Sequence, residues 1–280
     1  MADLISVIVT TYRREDALAA VLRSLSHQTD PNFEVVVADD GSGPATAELV
    51  ESWKATLGHP VTHVWHEDRG FRAAEIRNRA IVAARGYYCI FLDGDCIVRP
   101  DFVAVHRRLA EPGWFVTGNR VLLSEALTTK ILREALTPER WGLLTWLAQR
   151  WRGGVNRLSA LLHLPLGPLR RLRHRAWRGA RSCNLAIWRT DLDRIDGFDA
   201  DYAGWGKEDS DIIVRLLHAG VRRKDGVFAT GVLHLWHLQA DRAFLSANER
   251  KLLDMMASNR MRARRGLSDL KTEVSVVVPG

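Results

Sequence analysis

The sequence predicts an α/β fold in which a mostly parallel central sheet is flanked by helices. Strand-like and helix-like segments alternate through the first hundred residues, and this alternation is typical of successive βαβ units. The strand-like segments are apolar, β-branched runs that suit a buried sheet. Polar side chains follow several of these runs, at the strand ends where parallel sheets bind ligands.

The first strand is predicted at residues 5–9, a β-branched run that Thr10-Thr11-Tyr12 follows. A helix comes next, in which apolar residues recur at helical spacing over residues 18–25. A second buried strand is predicted at residues 33–38, and Asp39-Asp40-Gly41-Ser42 ends it as a turn.

A short third strand is predicted at residues 61–65. The next helix, over residues 73–84, places apolar residues on one face and ends before Gly86. The fourth strand, residues 87–92, runs directly into Asp93-Gly94-Asp95. The polar loops after the first, second and fourth strands are therefore expected to converge on one crevice.

The second half of the chain is less regular. Residues 183–187 form another strand-like run. Further on, Gly204-Trp205-Gly206-Lys207-Glu208-Asp209-Ser210-Asp211 precedes a helix that Gly220 ends. Residues 246–266 are predicted to form a basic amphipathic helix.

The composition is that of a globular protein with an anionic partner. Of the 280 residues, 46% are hydrophobic and 26% charged, which is enough apolar material for a sizeable core. The net charge of +7 and the pI of about 9.7 indicate nucleic acid, a membrane surface or a phosphorylated substrate. Residues 125–181 hold 12 Lys/Arg and 3 Asp/Glu, a local balance of +9.

Cysteine usage and hydropathy indicate where the protein works. The three cysteines form no CxxC pair, which fits a reduced cytosol better than a disulfide framework or a zinc site. The first residues lack the basic and apolar regions of a signal peptide. No run of about 18 apolar residues occurs, so no membrane-spanning helix is expected.

Two carboxylates one residue apart follow the fourth strand. Asp93 and Asp95 can share one hard divalent cation such as Mg²⁺ or Mn²⁺, which also accepts substrate phosphate oxygens. Asp-Gly is equally the standard turn dipeptide, and taken alone the pair fits a surface turn as well. The position after a buried strand favours the metal, because buried carboxylates are costly without a partner.

The second strand end and the third helix carry groups suited to a nucleotide. A carboxylate of the pair Asp39-Asp40 can accept the N3–H of a uracil ring, and the alternative is a helix cap or an Asx-turn ahead of Gly41-Ser42. Arginine's fork suits phosphate oxygens, and most arginines on a helix are solvated. We therefore expect one functional arginine among Arg69, Arg72, Arg77 and Arg79.

A second acidic pair opens the later helix. An ionised Asp209 beside Glu208 could take the proton of an attacking alcohol, whereas simple N-capping is the alternative. Trp205 stands between two glycines and is typical of a stacking wall for a sugar. Either His234 or His237 could complete a metal shell as a neutral imidazole.

The ordered motifs resemble those of a known family. They are Val7-Ile8-Val9-Thr10-Thr11-Tyr12-Arg13-Arg14, Ala38-Asp39-Asp40-Gly41-Ser42, Ile76-Arg77-Asn78-Arg79-Ala80 and Phe91-Leu92-Asp93-Gly94-Asp95. The set resembles the GT-A glycosyltransferases of family 2. The segment from Gly204 to Asp211 is similar to the galactosyltransferase-type C-terminal motif, also found in bacterial chondroitin-polymerase-like enzymes. The motifs span about residues 4–240 in the family's order.

The resemblance implies a nucleotide-sugar site. Thr10 and Tyr12 would hold the nucleoside, and Asp40 would contact the uracil. Arg77 would face the nucleotide, and Asn184 would lie near the donor sugar. These roles imply a UDP-sugar as the donor.

The resemblance also implies a metal site for Mn²⁺ or Mg²⁺. Asp95 would be the main ligand, and Asp93 would contact the ribose or the metal. The C-terminal metal histidine would be His237, with His234 as the alternative, because the spacing fits both.

The implied reaction is an inverting, metal-dependent sugar transfer. Asp209 would be the catalytic base, and Glu208 would bind the acceptor. The sugar, galactose or an N-acetylhexosamine, would pass to a glycan or lipid-linked acceptor hydroxyl in cell-surface polysaccharide or lipopolysaccharide synthesis. The alternatives are a nucleotidyltransferase and a non-catalytic glycan- or membrane-binding protein on the same fold.

The resemblance divides the chain into parts of a single GT-A domain. Residues 1–100 would be the nucleotide-sugar-binding half. Residues 101–240 would be the acceptor-binding half, including a helical basic insert at 125–181. Residues 241–280 would form a C-terminal basic helix and tail.

The basic insert is rich in tryptophan. Leu144, Ala148 and Trp151 are predicted on one helical face with Trp141, and such a basic amphipathic helix suits an anionic membrane. A helical subdomain with core tryptophans and solvated arginines is the alternative. We expect a cytoplasmic protein, peripheral on the inner face of the cell membrane if the insert binds lipid. No nucleic-acid partner is expected, because no recognisable nucleic-acid-binding fold accompanies the charge.

Overall fold

A computed structural model describes residues 4–238 and 241–270 of the chain. Its strands are β1 Ile5–Thr11, β2 Phe33–Asp39, β3 Val61–Trp65, β4 Tyr88–Asp93, β5 Cys96–Ile97, β6 Trp114–Thr117, β7 Arg120–Leu122, β8 Asn184–Trp188, β9 Arg222–Asp225 and β10 Val232–His234. Its helices are α1 Glu15–Ser26, α2 Pro44–Thr56, α3 Ala73–Ala83, α4 Phe102–Leu109, α5 Glu125–Arg133, α6 Leu143–Trp151, α7 Arg189–Ile195, α8 Glu208–His218 and α9 Leu245–Ala257.

A seven-stranded sheet in the order β3-β2-β1-β4-β8-β6-β9 forms the centre. The first four strands are parallel to one another, and β9 is parallel to β6. Strand β8 runs antiparallel to both of its neighbours, β4 and β6. The predicted α/β fold with a mostly parallel sheet is therefore confirmed, and the sheet draws strands from both halves of the chain.

Alternate side chains of each strand point to opposite faces of the sheet, and both faces are covered by a hydrophobic core. On one face Val7, Val9 and Val35 pack in a core shared with α1 and α2. On the other face Ile8 and Val36 belong to a second core shared with α3, α7 and α8. Two-sided burial explains why these strands read as continuous apolar runs.

A second, three-stranded sheet has the order β5-β10-β7. Strand β10 runs antiparallel to β5, which pairs His234 with Cys96 and Leu233 with Ile97. Because β5 begins directly after Asp95, this pairing brings a histidine from the C-terminal part of the chain to the end of β4. The small sheet thus connects the two halves at the predicted crevice.

The insert at 125–181 is only partly helical. It contains α5, α6 and three short 3₁₀ segments, which are Pro138–Arg140, Ser159–Leu161 and Gly167–Arg171. Trp141 lies before α6, so its predicted place on the same helical face is wrong, and its ring contacts Trp146 at 5.2 Å between centroids. Trp146 is buried, whereas Leu144 and Trp151 are exposed.

The predicted helix over residues 246–266 is wrong in its second half. Helix α9 ends at Ala257, and Asn259 adopts a left-handed conformation with φ 51°, which is common where helices stop. The backbone N–H groups of Arg264 and Arg265 then donate to the buried carboxylate of Asp199. These hydrogen bonds stabilise a buried charge, and they hold residues 264–265 against the rest of the protein. Residues 271–280 of the predicted tail lie outside the described residues.

The three cysteines are free and buried. In the described residues, no helix combines the length and the apolar character needed to cross a bilayer.

Candidate active site

The ends of β1 and β4 meet at the predicted crevice. In this parallel pair Thr10 lies opposite Asp93, and the Gly94 N–H donates to the Thr10 carbonyl at 2.7 Å. A Cβ at position 94 would stand 3.0 Å from that carbonyl oxygen. Glycine therefore fits the turn between the two acidic residues because the backbones approach closely.

A buried arginine joins the two acidic pairs. The Arg77 guanidinium donates to Thr10 Oγ1 at 3.2 Å and to Asp93 Oδ1 at 3.3 Å. Its Nη1 atom lies 3.6 Å from Glu208 Oε1 and 3.8 Å from Asp209 Oδ1. The structure thus brings together residues from β1, α3, β4 and the start of α8, as the convergence of strand ends predicted for β1 and β4.

One cation faces three carboxylates, and the pKa values reflect that imbalance. Burial raises the pKa of Asp93 to about 6, with Arg77 opposing the rise and the charges of Asp95 and Asp209 adding to it. Burial and the charge of Asp209 raise the pKa of Glu208 to about 7, against the opposing effect of Arg77. Burial tends to lower the pKa of Arg77, but the carboxylates more than compensate and raise it.

Asp209 has a distinct environment within the acidic group. Its Oδ1 atom is buried without a hydrogen-bond partner among the described residues, while about a quarter of its side chain is exposed, 26% against 8% for Glu208. The Gly206 N–H donates to Glu208 Oε2 at 3.1 Å. Glu208 is therefore held by a hydrogen bond from its own loop. The side chain of Asp209 is the more accessible of the two from the crevice.

The second cluster lies at the small sheet. Ligand atoms of Asp95, His234 and His237 all lie within 4.8 Å of one another. His237 Nε2 lies 3.4 Å from Asp95 Oδ2, and His234 Nε2 lies 3.7 Å from Asp95 Oδ1. The sequence left open which histidine belongs here, and the structure brings both to Asp95.

The chemistry of these donors fits a divalent cation. The Leu238 carbonyl can only accept, so the 2.7 Å contact with His237 Nδ1 places a proton on that nitrogen. The other ring nitrogen, Nε2, faces the Asp95 carboxylate, and a cation bound between them would contact both. Burial lowers the pKa of His234, which keeps its imidazole neutral and able to ligate a metal.

The predicted nucleoside residues lie around the ends of β1 and β2. Asp40 is buried and accepts from the Arg72 N–H at 2.9 Å, with His66 Nε2 2.6 Å from its other oxygen. Tyr12 is partly exposed, and its hydroxyl donates to Asp68 at 3.0 Å. The uracil contact of Asp40 and the nucleoside contacts of Thr10 and Tyr12 stay predictions.

His66 and Asp68 belong to none of the predicted motifs. They stand one and three residues after β3, which ends at Trp65. The same edge of a parallel sheet collects the polar residues after each strand, so the position after β3 is the signal that could have indicated them.

Asn184 and Trp205 lie in different surroundings. The Asn184 amide donates to the carbonyls of Asn119 and Thr230, and its oxygen lies 3.2 Å from His106 Nε2. Its polar atoms are therefore engaged inside the protein, and its role at the donor sugar stays a prediction. Trp205 is half-buried with the Arg242 guanidinium 5.3 Å from its ring centroid, and its role as a sugar wall stays a prediction too.

We expect Glu208 to give the protein a pH-dependent stability. The pKa of Glu208 is about 7 in the folded protein and about 4.5 in the unfolded chain, so the folded protein binds this proton more tightly. The resulting contribution to stability is complete below about pH 4.5 and is lost as the pH rises through about 7. The free energy of unfolding should therefore fall between pH 5 and pH 8. Replacing Glu208 by Gln should reduce that fall by roughly 1–3 kcal/mol, measured by urea unfolding at each pH.

Glu34→Gln is the matched control. Glu34 is also buried, but its pKa is lowered because hydrogen bonds from Arg85 and Ser6 outweigh the effect of burial. It is ionised in both states from pH 5 to pH 8, so its replacement should lower stability without changing the slope. An unchanged slope in the Glu208 variant would contradict the raised pKa.

Solved glycosyltransferases share this fold. Staphylococcus aureus TarS in complex with UDP has a TM-score of 0.61 at 16% identity, covering 95% of this chain and 68% of that chain. The mannosyltransferase PcManGT from Pyrobaculum calidifontis, in complex with GDP-Man and Mn²⁺, has a TM-score of 0.56 at 19% identity, covering 97% and 68%. The fold is that of the GT-A glycosyltransferases.

Two family models match this chain. A family model described as glycosyl transferase family 2 matches residues 6–159. A second, described as the N-terminal domain of galactosyltransferase, matches residues 172–237. The chain belongs to glycosyl transferase family 2, and the resemblance drawn from its motifs is confirmed.

Curated relatives cover most of this chain. Validoxylamine A glucosyltransferase from Streptomyces hygroscopicus subsp. limoneus is 31% identical over 231 residues, 78% of this chain and 49% of that protein. Chondroitin synthase from Escherichia coli is 26% identical over 239 residues, 78% of this chain and 33% of that protein. The chain spans about half the length of the first relative and a third of the second.

Proposed function

We propose that the protein is an inverting, metal-dependent glycosyltransferase that moves a sugar from a UDP-sugar to an acceptor hydroxyl. The observation that carries the proposal is the shared crevice. Arg77 lies within 4 Å of carboxylates from both acidic pairs, and Asp95, two residues after Asp93, belongs to a metal-type cluster. Donor and acceptor chemistry would therefore meet at one place.

Asp209 is the proposed catalytic base. It takes the proton from the acceptor hydroxyl as that oxygen attacks the anomeric carbon. The new bond forms on the face opposite the leaving group, the bond from the anomeric carbon to the diphosphate breaks, and UDP departs. The configuration inverts in a single displacement. Arg77 holds Asp93, Glu208 and Asp209 in place and offsets part of their charge.

A metal held by Asp95, His234 and His237 would suit this reaction. A divalent ion such as Mn²⁺ or Mg²⁺ would act there as a Lewis acid that stabilises the departing diphosphate. The donor set supports a divalent metal, because carboxylate oxygens suit Mn²⁺ and Mg²⁺ and neutral imidazoles are common ligands of divalent transition metals. One fold neighbour is described with GDP-Man and Mn²⁺, which also supports a divalent metal.

The proposed donor is a UDP-sugar carrying galactose or an N-acetylhexosamine. Asp40 at the end of β2 offers the carboxylate that a uracil N3–H needs, although His66 and the Arg72 N–H already contact it. TarS is described in complex with UDP and with UDP-GlcNAc, which supports this choice.

A panel of nucleotide sugars tests the proposal. We expect release of UDP from a UDP-sugar in the presence of Mn²⁺ or Mg²⁺, and loss of that release when EDTA removes the metal. The measurement is UDP by coupled assay, with GDP-mannose as the matched donor control. Pyrophosphate release from a sugar phosphate and UTP would instead indicate a nucleotidyltransferase. Unchanged turnover in EDTA would contradict the metal proposal.

We also propose that the insert at 125–181 contacts an anionic membrane and that the acceptor is a glycan or a lipid-linked glycan. Helix α6 exposes apolar residues, namely Leu143, Leu144, Leu147 and Trp151. Arg150 and Arg152, at the end of the same helix, are exposed too. This face supports a peripheral position on the inner face of the cell membrane, in a cytoplasmic enzyme of polysaccharide or lipopolysaccharide synthesis.

Vesicle binding tests the membrane contact. The protein should co-sediment with phosphatidylglycerol vesicles at low salt and less at high salt. Replacing Arg150 and Arg152 together by Gln should weaken binding about tenfold or more, since each cation near the surface contributes about 1 kcal/mol. Arg222→Gln, at the exposed first position of strand β9 and outside the insert, is the matched control. No binding to anionic vesicles at any salt would contradict this part of the proposal.

A further inference from the structure

A mostly apolar cavity of about 490 Å³ lies beside the small sheet. Its lining includes Trp141, Trp146, Leu158, Leu161 and Leu233. Successive side chains of a strand point to opposite faces, so Leu233 and His234 on β10 face opposite ways. The cavity therefore lies on one face of β10, and the Asp95 cluster lies on the other. Its size is within the range of pockets that bind small ligands.

The cavity opens onto the exposed face of α6. Leu143 lines it and is 68% exposed, and Leu162 lines it from another segment and is 47% exposed. Further along α6, Leu144 and Trp151 are 82% and 88% exposed. An apolar surface and an apolar cavity are thus continuous, which differs from a void enclosed in the core.

The cavity lining includes one exposed cation without an ion-pair partner among the described residues. Two acidic lining residues have partners: Asp101 lies 3.8 Å from Arg99, and Glu139 lies 3.0 Å from His27. Arg140 also lines the cavity and is exposed, and no carboxylate of the described residues forms an ion pair with it. A ligand with an apolar body and an anionic head would match this distribution.

We propose that this cavity binds the hydrocarbon chain of an anionic membrane lipid, with the phosphate head beside Arg140. The chain would contact Trp141, Trp146, Leu158, Leu161 and Leu233, which line the cavity. The inference rests on the proposed membrane contact and deepens it. A lipid hydrocarbon chain bound inside the protein would fix the orientation of the protein on the membrane, whereas surface adhesion alone would not. The Asp95 cluster, one strand away, would then be held close to the membrane surface.

Titration calorimetry with dodecyl phosphate, below its micelle concentration, tests the chain site. The full chain should bind dodecyl phosphate, and inorganic phosphate should bind at least about 100-fold more weakly because the apolar contacts are lost. Dodecyl maltoside, with the same chain and a neutral head, should bind about tenfold more weakly. Equal binding of inorganic phosphate would overturn the chain site, and equal binding of the maltoside would overturn the role of the anionic head.

Two cavity-filling variants and one surface variant complete the test. Leu158→Phe and Leu161→Phe should each weaken dodecyl phosphate binding about tenfold or more, and the thermal melt shows which of them folds. Trp151→Ser, on α6 but outside the cavity lining, should leave that binding unchanged while weakening vesicle sedimentation. Full-strength binding in both folded cavity variants would overturn the proposal.

The same data separate the two proposals. Dodecyl phosphate binding that the cavity variants abolish, without any vesicle binding, would contradict the membrane contact and support the chain site. Vesicle binding without dodecyl phosphate binding would overturn the chain site and support surface adhesion alone. Neither measurement uses a sugar donor, so both are independent of transferase activity.

Discussion

Replacing Asp209 by Asn should lower transfer on the order of 10³-fold while leaving UDP binding within about threefold of the wild type, because positioned general-base catalysis contributes about 10²–10⁴-fold. The amide has nearly the same shape as the carboxylate but cannot accept the proton of the acceptor hydroxyl. Asp209 Oδ1 lies 3.8 Å from Arg77 Nη1 and accepts no hydrogen bond from the part of the chain that the structure describes. Its removal as an anion should therefore disturb the fold little.

The measurement pairs single-turnover transfer with UDP titration by calorimetry in the presence of Mn²⁺. Asp254→Asn makes the same chemical change on the exposed surface of α9, and we expect it to retain full activity. Glu208→Gln gives a second comparison, since it should reduce acceptor affinity more than the rate at saturating acceptor. Loss of UDP binding together with transfer in Asp209→Asn would sink the assignment of the base.

The pH profile of transfer should follow from the same group of residues. Glu208 and Asp93 have raised pKa values, of about 7 and about 6, because both are buried among like charges. Protonation of either removes a charge that Arg77 offsets, so the free protein exchanges protons near neutral pH. Asp93 and Glu208, from the two halves of the chain, therefore influence each other's protonation. No single motif of the sequence shows this coupling.

The parallel core could be predicted closely from sequence because burial on both faces leaves an unbroken apolar signal. The predicted first strand lies inside β1, and the predicted second strand differs from β2 by one residue at its end. Strand β9 could not be predicted this way, since its sequence Arg222-Arg223-Lys224-Asp225 is entirely charged. Arg223 pairs with Asp225 at 2.7 Å, and Lys224 pairs with Glu111. These ion pairs allow Arg223 and Lys224 to be buried. The partner of Lys224 is remote in sequence.

The candidate site could be predicted in part, by the rule that polar residues after parallel strands converge. That rule indicated Thr10, Asp93 and Asp95, which lie in the crevice. It could not place Arg77, because its partners Glu208 and Asp209 lie more than a hundred residues further along the chain. Nor could it choose between the two histidines, since strand β10 has only three residues and no periodic signal. Tertiary contacts bring Arg77 to Glu208 and Asp209, and they bring both histidines to Asp95.

Replacing Asp95 by Ala should lower Mn²⁺-dependent transfer by at least about 10²-fold, because a metal acting as a Lewis acid supplies several kcal/mol of stabilisation. Asp95 contacts both histidines, so its removal leaves two imidazoles without the anion that attracts a cation. We expect the affinity for Mn²⁺, measured by calorimetry without nucleotide, to fall together with the Mn²⁺-dependent part of UDP binding. Metal-independent UDP binding should be unchanged.

The histidines give the sharper comparison. His237 is fixed by the Leu238 carbonyl and partly exposed, so His237→Ala should weaken Mn²⁺ binding without affecting the fold. His234 is buried on β10, so His234→Gln, which keeps a polar group of similar length, is the matched change. Asp254→Ala serves as the surface control for Asp95→Ala. Asp95 is the one carboxylate of this cluster. If Asp95→Ala kept wild-type Mn²⁺ affinity and transfer, the cluster would therefore not be the metal site.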